Sequence, residues 1–268
     1  MLPQIPFRKA AVKRRRILEG LAKPNLSQFK IDLISGFNVS FLDANYQRSY
    51  SFPMKLYLSS YLFGTSPNRL AGLIGENKTA AIVLNASDAY DPAKRPQYFA
   101  QFSEDLSKLG ISSSELDLRH YFEKPELLRE ELNKFGMLWV AGGNTFVLRR
   151  AMRESGLDRL LPDLLTQSEL VYAGFSAGVC VLSPSLFGIH LADEPERVPE
   201  GYPPAVIWEG LNIIDFYVVP HFRSLHKESA AMENVVDYLR QNALPYYALT
   251  DGEAIVIDGK APEVVGRR

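Results

Sequence analysis

The chain has 268 residues, 46% hydrophobic and 23% charged, with a net charge of −1. This is ordinary globular composition, long enough for one sizeable core or two small ones, and it excludes a low-complexity or disordered protein. The single cysteine, Cys180, excludes an intrachain disulfide and fits a reducing compartment such as the cytoplasm. No run reaches the roughly 18 apolar residues of a membrane-spanning helix, and no Cys/His cluster has metal-ligand spacing, so neither a metal nor another cofactor is expected.

Charge divides the chain in two. Residues 1–53 hold nine Lys/Arg against three Asp/Glu, about +6, and include the run Lys13-Arg14-Arg15-Arg16, which leaves the remainder at about −7. A body of that sign is not built for nucleic acid. Residues 1–53 read as a basic extension, either flexible or lying upstream of a true start at Met54, with an Arg-rich targeting segment as a third reading. Residues 54–268 read as the main folded domain.

From Met54 strands alternate with helices. Lys55 to Ser60 reads as a first strand, and Ser66-Pro67 opens a helix over Asn68 to Ile74. Ala80 to Leu84 is a continuous apolar run, as a strand buried on both faces requires. Helices follow over Gln97 to Leu109, with Phe99, Phe102, Leu106 and Leu109 on one stripe, and over Pro125 to Phe135. Met137 to Val140 is a strand, and Ala141-Gly142-Gly143-Asn144 turns it into a helix starting at Thr145. A short helix over Leu157 to Leu165 leads to a strand over Leu170 to Ala173, then Gly174-Phe175-Ser176-Ala177-Gly178 and a helical Val179 to Leu182. A strand over Ile213 to Val219, a helix over His226 to Gln241, and strands over Tyr246 to Leu249 and Ala254 to Asp258 complete the chain. Asp258-Gly259 is a hairpin signal. The alternation predicts an α/β three-layer sandwich, a mostly parallel sheet with helices on both faces.

In such sheets the site forms beyond the carboxyl ends of the strands, and three of those ends carry unusual residues. Ser176 sits between two glycines at a strand-to-helix turn, the form of a nucleophile elbow, although a Ser there can also simply cap the helix. Of the four histidines, His221 in Pro220-His221-Phe222 is best placed as its base. His190 is a weaker candidate, His120 reads as a surface residue, and His226 reads as the start of a helix. The orienting acid is expected to be Asp193, with Glu194 and Asp251 as alternatives. Gly142 and Gly143 can bring backbone N–H groups to a substrate oxyanion, with the Ala177 N–H as a second donor. Cys180, one helical turn beyond Ser176, reads as a small core residue.

Together, Gly142-Gly143-Asn144-Thr145-Phe146, Gly174 to Gly178 and Pro220-His221-Phe222 resemble the dipeptidase E (alpha-aspartyl dipeptidase) branch of serine peptidases, whose relatives include the cyanophycinases. The resemblance covers Met54 to the C-terminus and implies a class I glutamine amidotransferase-like fold, with Ser in place of a nucleophilic Cys. It implies hydrolysis of short peptides, dipeptides with N-terminal aspartate above all, with Ser176 as nucleophile, His221 as base and Asp193 as acid. Asp251 resembles a second acidic position of the family. Arg223 is a candidate reader of an aspartate side chain on position and charge alone. Two other readings stay open: an α/β-hydrolase-type esterase, which shares G-x-S-x-G, and a non-catalytic binding protein on the same fold. The expected partner is a small peptide, and the oligomeric state is not legible.

Overall fold

The computed structural model describes residues 54–266. The basic stretch 1–53 and its expected boundary at Met54 lie outside the described residues. A seven-stranded sheet has the order β3-β2-β4-β5-β1-β8-β9. Its strands are β1 (Lys55–Ser59), β2 (Thr79–Val83), β3 (Ser112–Glu115), β4 (Met137–Val140), β5 (Val171–Phe175), β8 (Ala254–Asp258) and β9 (Glu263–Val265). The first five run parallel, while β8 and β9 add antiparallel at one edge. A separate parallel pair is made by β6 (Tyr217–Val219) and β7 (Tyr246–Ala248).

Side chains along the central strands alternate between two cores, as a period of two demands. Leu56, Leu58, Leu138, Val140 and Tyr172 enter one. Tyr57, Met137, Trp139, Val171 and Ala173 enter the other. Both faces are therefore covered, which is why these strands read as unbroken apolar runs. One face carries α1 (Pro67–Leu73) and α2 (Arg95–Lys108). The other carries α3 (Pro125–Leu132), α4 (Thr145–Ser155), α5 (Leu157–Gln167), α6 (Ala177–Cys180) and α7 (Ser229–Gln241). Among the described residues no helix is long and apolar enough to cross a membrane.

Three expectations shift. The strand expected over Ile213–Val219 shortens to Tyr217–Val219, because the Leu211 and Ile213 N–H groups bond back to Val181 and Leu182 instead of to a neighbouring strand. The helix after Ser176 ends at Cys180, and residues 181–183 continue only as turns. The final helix starts at Ser229, which leaves His226 in the loop before it.

Candidate active site

Ser176 follows β5 directly and has φ 52° and ψ −120°. A non-glycine residue in that region costs about 1–3 kcal/mol, and such strain persists only where the surroundings impose it. Here they do. A Cβ on Gly174 would lie 2.5 Å from the Val140 carbonyl oxygen, and one on Gly178 would lie 2.2 Å from the same atom. Both glycines of the motif thus press against the end of β4, and nothing larger than hydrogen fits. The buried Tyr172 hydroxyl donates to the Gly178 carbonyl at 2.6 Å and pins the far side of the turn. The Ser176 side chain does not cap α6 and has no hydrogen-bond partner among the described residues. With only four residues, α6 contributes its free N-terminal N–H groups rather than a sizeable macrodipole.

The Gly142-Gly143 turn lies beside Ser176. A Cβ on Gly142 would come within 2.9 Å of the Ser176 Cβ, and Gly143 (φ +143°) abuts the Ala86 carbonyl. Asn144 ends the turn as the N-cap of α4, its Oδ1 accepting from the Phe146 and Val147 N–H groups at 3.0 Å each. The Asn144 N–H donates to the Ala86 carbonyl, while the Gly142 and Gly143 N–H groups have no partner among the described residues.

His221 and Asp251 are brought together by β6 and β7. The strands are parallel, with Val219 opposite Ala248, so the chain two and three residues further on emerges at the same end. There His221 Nδ1 lies 2.8 Å from Asp251 Oδ1. His221 is only 1% exposed, and its backbone has φ 57°. Ser60, just past β1, ties the two together. Its hydroxyl accepts the His221 N–H at 2.8 Å and lies 3.0 Å from Asp251 Oδ1. The Asp251 N–H donates to Ser224 Oγ at 2.8 Å. Burial pushes the Asp251 carboxyl up, but the His221 hydrogen bond and charge and the Ser60 hydroxyl outweigh it and hold it below the ordinary carboxylate range.

Asp193 goes elsewhere. Its Oδ2 accepts the Thr145 N–H at the start of α4 at 2.8 Å, and it makes no hydrogen bond to His221. The reason lies in Arg150, fully buried on α4, whose guanidinium donates to the carbonyls of Pro195, Arg197, Pro204 and Ala205. That clamp seats the 193–205 loop over the α4 N-terminus. Burial pushes the Asp193 carboxyl up to about 6 against the Thr145 hydrogen bond, with Glu228 and Glu194 adding to the rise. Glu194 is exposed and pairs with Arg197.

Arg223 points outward, with its Nε 3.1 Å from Glu233 and its guanidinium over the Phe222 ring. His190 packs among Phe187, Trp208 and Tyr238, and its Nδ1 accepts the Gly188 N–H. Cys180 is buried, and burial raises its thiol well above the ordinary value, so it stays protonated in the core.

Three neighbours were not foreseen. Ser60 is one; Tyr61 and His226 are the others. The His226 ring stacks on His221 at 3.7 Å between centroids and 13° between planes. The Tyr61 ring meets both imidazoles and the Phe175 ring beside Ser176. No sequence period marks these contacts; the only signal was that each residue follows the carboxyl end of a strand. His221, His226 and Glu228 also present donor atoms within 4.8 Å of one another. Parallel imidazoles aim their in-plane lone pairs side by side, however, so a shared ion would require one ring to turn.

A strained Ser turn with unpaired N–H groups beside it, and a histidine–carboxylate pair at the same sheet end, are the parts that covalent nucleophilic hydrolysis needs. The model of peptidase family S51 matches residues 62–265, and the chain belongs to that family and is a peptidase. It is 29% identical to a peptidase E of Pasteurella multocida over 72% of this chain and 76% of the relative. It is 32% identical to a Drosophila melanogaster protein named "Probable alpha-aspartyl dipeptidase", over 64% of this chain and 68% of that one. The crystal structure of a candidate peptidase E protein from Listeria monocytogenes superposes with a TM-score of 0.65 at 24% identity, covering 81% of this chain and all of that one. The shared fold agrees with the expected three-layer α/β sandwich.

Proposed function

We propose that this peptidase is a serine exopeptidase acting on short peptides, with Ser176 as nucleophile, His221 as general base and Asp251 as the acid that orients it. The observation that carries this reading is the 2.8 Å His221–Asp251 contact at the sheet end that also bears the strained Ser176 turn. Asp251 holds the Nδ1–H tautomer, which leaves Nε2 of His221 as the proton acceptor. Ser176 Oγ attacks the scissile carbonyl as its proton passes to His221. The carbonyl π pair moves onto oxygen, where the N–H groups of Gly143 and Ala177 stabilise it. His221 then returns the proton to the leaving amine, and water repeats the sequence on the acyl-enzyme.

The name of the Drosophila relative makes dipeptides led by aspartate the first substrates to try. Arg223 is not the reader of that side chain in this proposal, because Glu233 already holds it. The test is turnover of Asp-Leu, isoAsp-Leu, Glu-Leu and Ala-Leu by wild type and Ser176→Ala. Cleavage lost in the variant supports the nucleophile, and preference within the panel reads the specificity. Turnover of simple esters without any peptide would favour the esterase reading. Peptide cleavage that survives in Ser176→Ala would refute the mechanism.

A further inference from the structure

We propose that His226 is a positioning residue for the base: its neutral ring, stacked face to face on His221, fixes the plane of that imidazole and stabilises the imidazolium formed when His221 takes the Ser176 proton. The inference rests on the assignment of Ser176 and His221 above.

The two rings are held in opposite tautomers by their surroundings. His221 turns Nδ1 to Asp251 at 2.8 Å, so its neutral form carries the proton there and keeps Nε2 free. His226 turns Nδ1 to the Glu228 N–H at 3.3 Å, so Nδ1 is an acceptor and the neutral ring carries its proton on Nε2. Protonating His226 would forfeit that bond and place a cation 3.7 Å from the ring that must itself become cationic. The groups facing His226 are His221 and Lys227, which oppose its charge, Glu228 and Asp251, which favour it, and the uncharged Tyr61 ring. Burial leads the balance, His221 adds to it, and the net effect lowers the His226 imidazole below the ordinary histidine range.

A neutral aromatic face at this distance attracts a cation in the stacked ring. That attraction is absent when His221 is neutral and present once it has accepted the proton, so it favours the transition state over the ground state. Tyr61 adds orientation, touching both rings and the Phe175 ring next to the nucleophile.

The test needs no known substrate. A fluorophosphonate forms a bond from Ser176 Oγ to phosphorus, fluoride leaves, and the serine proton goes to His221. The limiting rate constant, the half-saturating probe concentration and the pH dependence of labelling are measured on wild type, His226→Ala and His226→Phe. His226→Ala should lower the limiting rate roughly 5- to 30-fold with half-saturation unchanged, and move the acid limb to lower pH by about one pH unit, because a less stabilised imidazolium is a weaker base. His226→Phe, a neutral ring of similar area, should restore most of both. The proposal is overturned if His226→Ala labels at the wild-type rate, if its acid limb stays put or moves to higher pH, or if Phe does no better than Ala. Wild type that never labels at Ser176 would overturn the nucleophile assignment itself, and the inference with it, whereas normal labelling insensitive to residue 226 overturns the inference alone.

Discussion

Asp251→Asn and Asp193→Asn separate two carboxylates, of which the sequence reading places Asp193 first and Asp251 in reserve. Asp251 Oδ1 lies within hydrogen-bond distance of both His221 Nδ1 and Ser60 Oγ. An asparagine can place its carbonyl oxygen at that point, so the tautomer of His221 is kept and what is lost is the charge facing the imidazolium. A hydrogen bond to a charged group contributes about 1.5–3 kcal/mol, against about 0.5–1.5 kcal/mol between neutral partners. What the variant loses is the difference, about 1–1.5 kcal/mol, which on the transition-state scale is roughly 5- to 13-fold in kcat, more if the amide turns its NH2 to Nδ1 and forces the wrong tautomer. Asp193 accepts from Thr145, its N–H at 2.8 Å and its side chain, roles an amide oxygen also fills, and it makes no hydrogen bond to His221. Its asparagine variant should keep kcat within about threefold. The assay is fluorophosphonate labelling and dipeptide turnover side by side, with folding checked by circular dichroism. A folded Asp193→Asn that falls as far as Asp251→Asn, or an Asp251→Asn with wild-type kcat, would refute the assignment.

Asp193 should also leave a mark on stability. Its folded pKa, about 6, is raised above the unfolded carboxylate value, so the protonated form favours folding at low pH and this contribution is lost as pH rises through about 6. Relative to wild type, Asp193→Asn should therefore gain stability between pH 4 and pH 8, by up to about 3 kcal/mol; a difference that does not vary with pH in urea unfolding would contradict it. Gly178→Ala drives a methyl group to 2.2 Å from the Val140 carbonyl oxygen, backbone against backbone, and should cost about 3 kcal/mol or more in denaturant unfolding; a loss under about 0.5 kcal/mol would show that the elbow can yield. Arg150→Met removes donors to four carbonyls of the 195–205 segment and should cost about 2–4 kcal/mol. It should also raise amide exchange across residues 193–205, and unchanged exchange there would remove Arg150 as the clamp of that loop.

Much of the frame was legible because each element carried its own signal. Met137 to Val140 is apolar at every position since both sheet faces are covered, and the observed strand has those bounds. Asn144 caps α4 as its side chain and position suggest. The glycines around Ser176 were legible as a sharp turn, and the structure supplies the reason, one carbonyl oxygen of β4 against both. By contrast β3 is Ser-Ser-Ser-Glu, largely exposed at the sheet edge, so neither apolar period nor β-propensity marks it.

The arrangement around His221 was illegible for a different reason. Sequence order sets Asp193 between Ser176 and His221, which made it the natural partner, but chain order does not measure distance. Two long-range facts decide the geometry. A buried arginine spends its donors on backbone carbonyls and seats the Asp193 loop on α4. A three-residue parallel pairing outside the main sheet then lines up the ends of β6 and β7. Both strands were legible locally, within Ile213–Val219 and Tyr246–Leu249, but nothing local pairs them with each other outside the main sheet. Once the register of Val219 with Ala248 is known, the rest follows from counting: His221 and Asp251 stand two and three residues past paired positions at the same end. Ser60 past β1 closes the group by accepting the His221 backbone N–H. The chemistry-bearing residues were visible one at a time, and their partnership is a property of strand register.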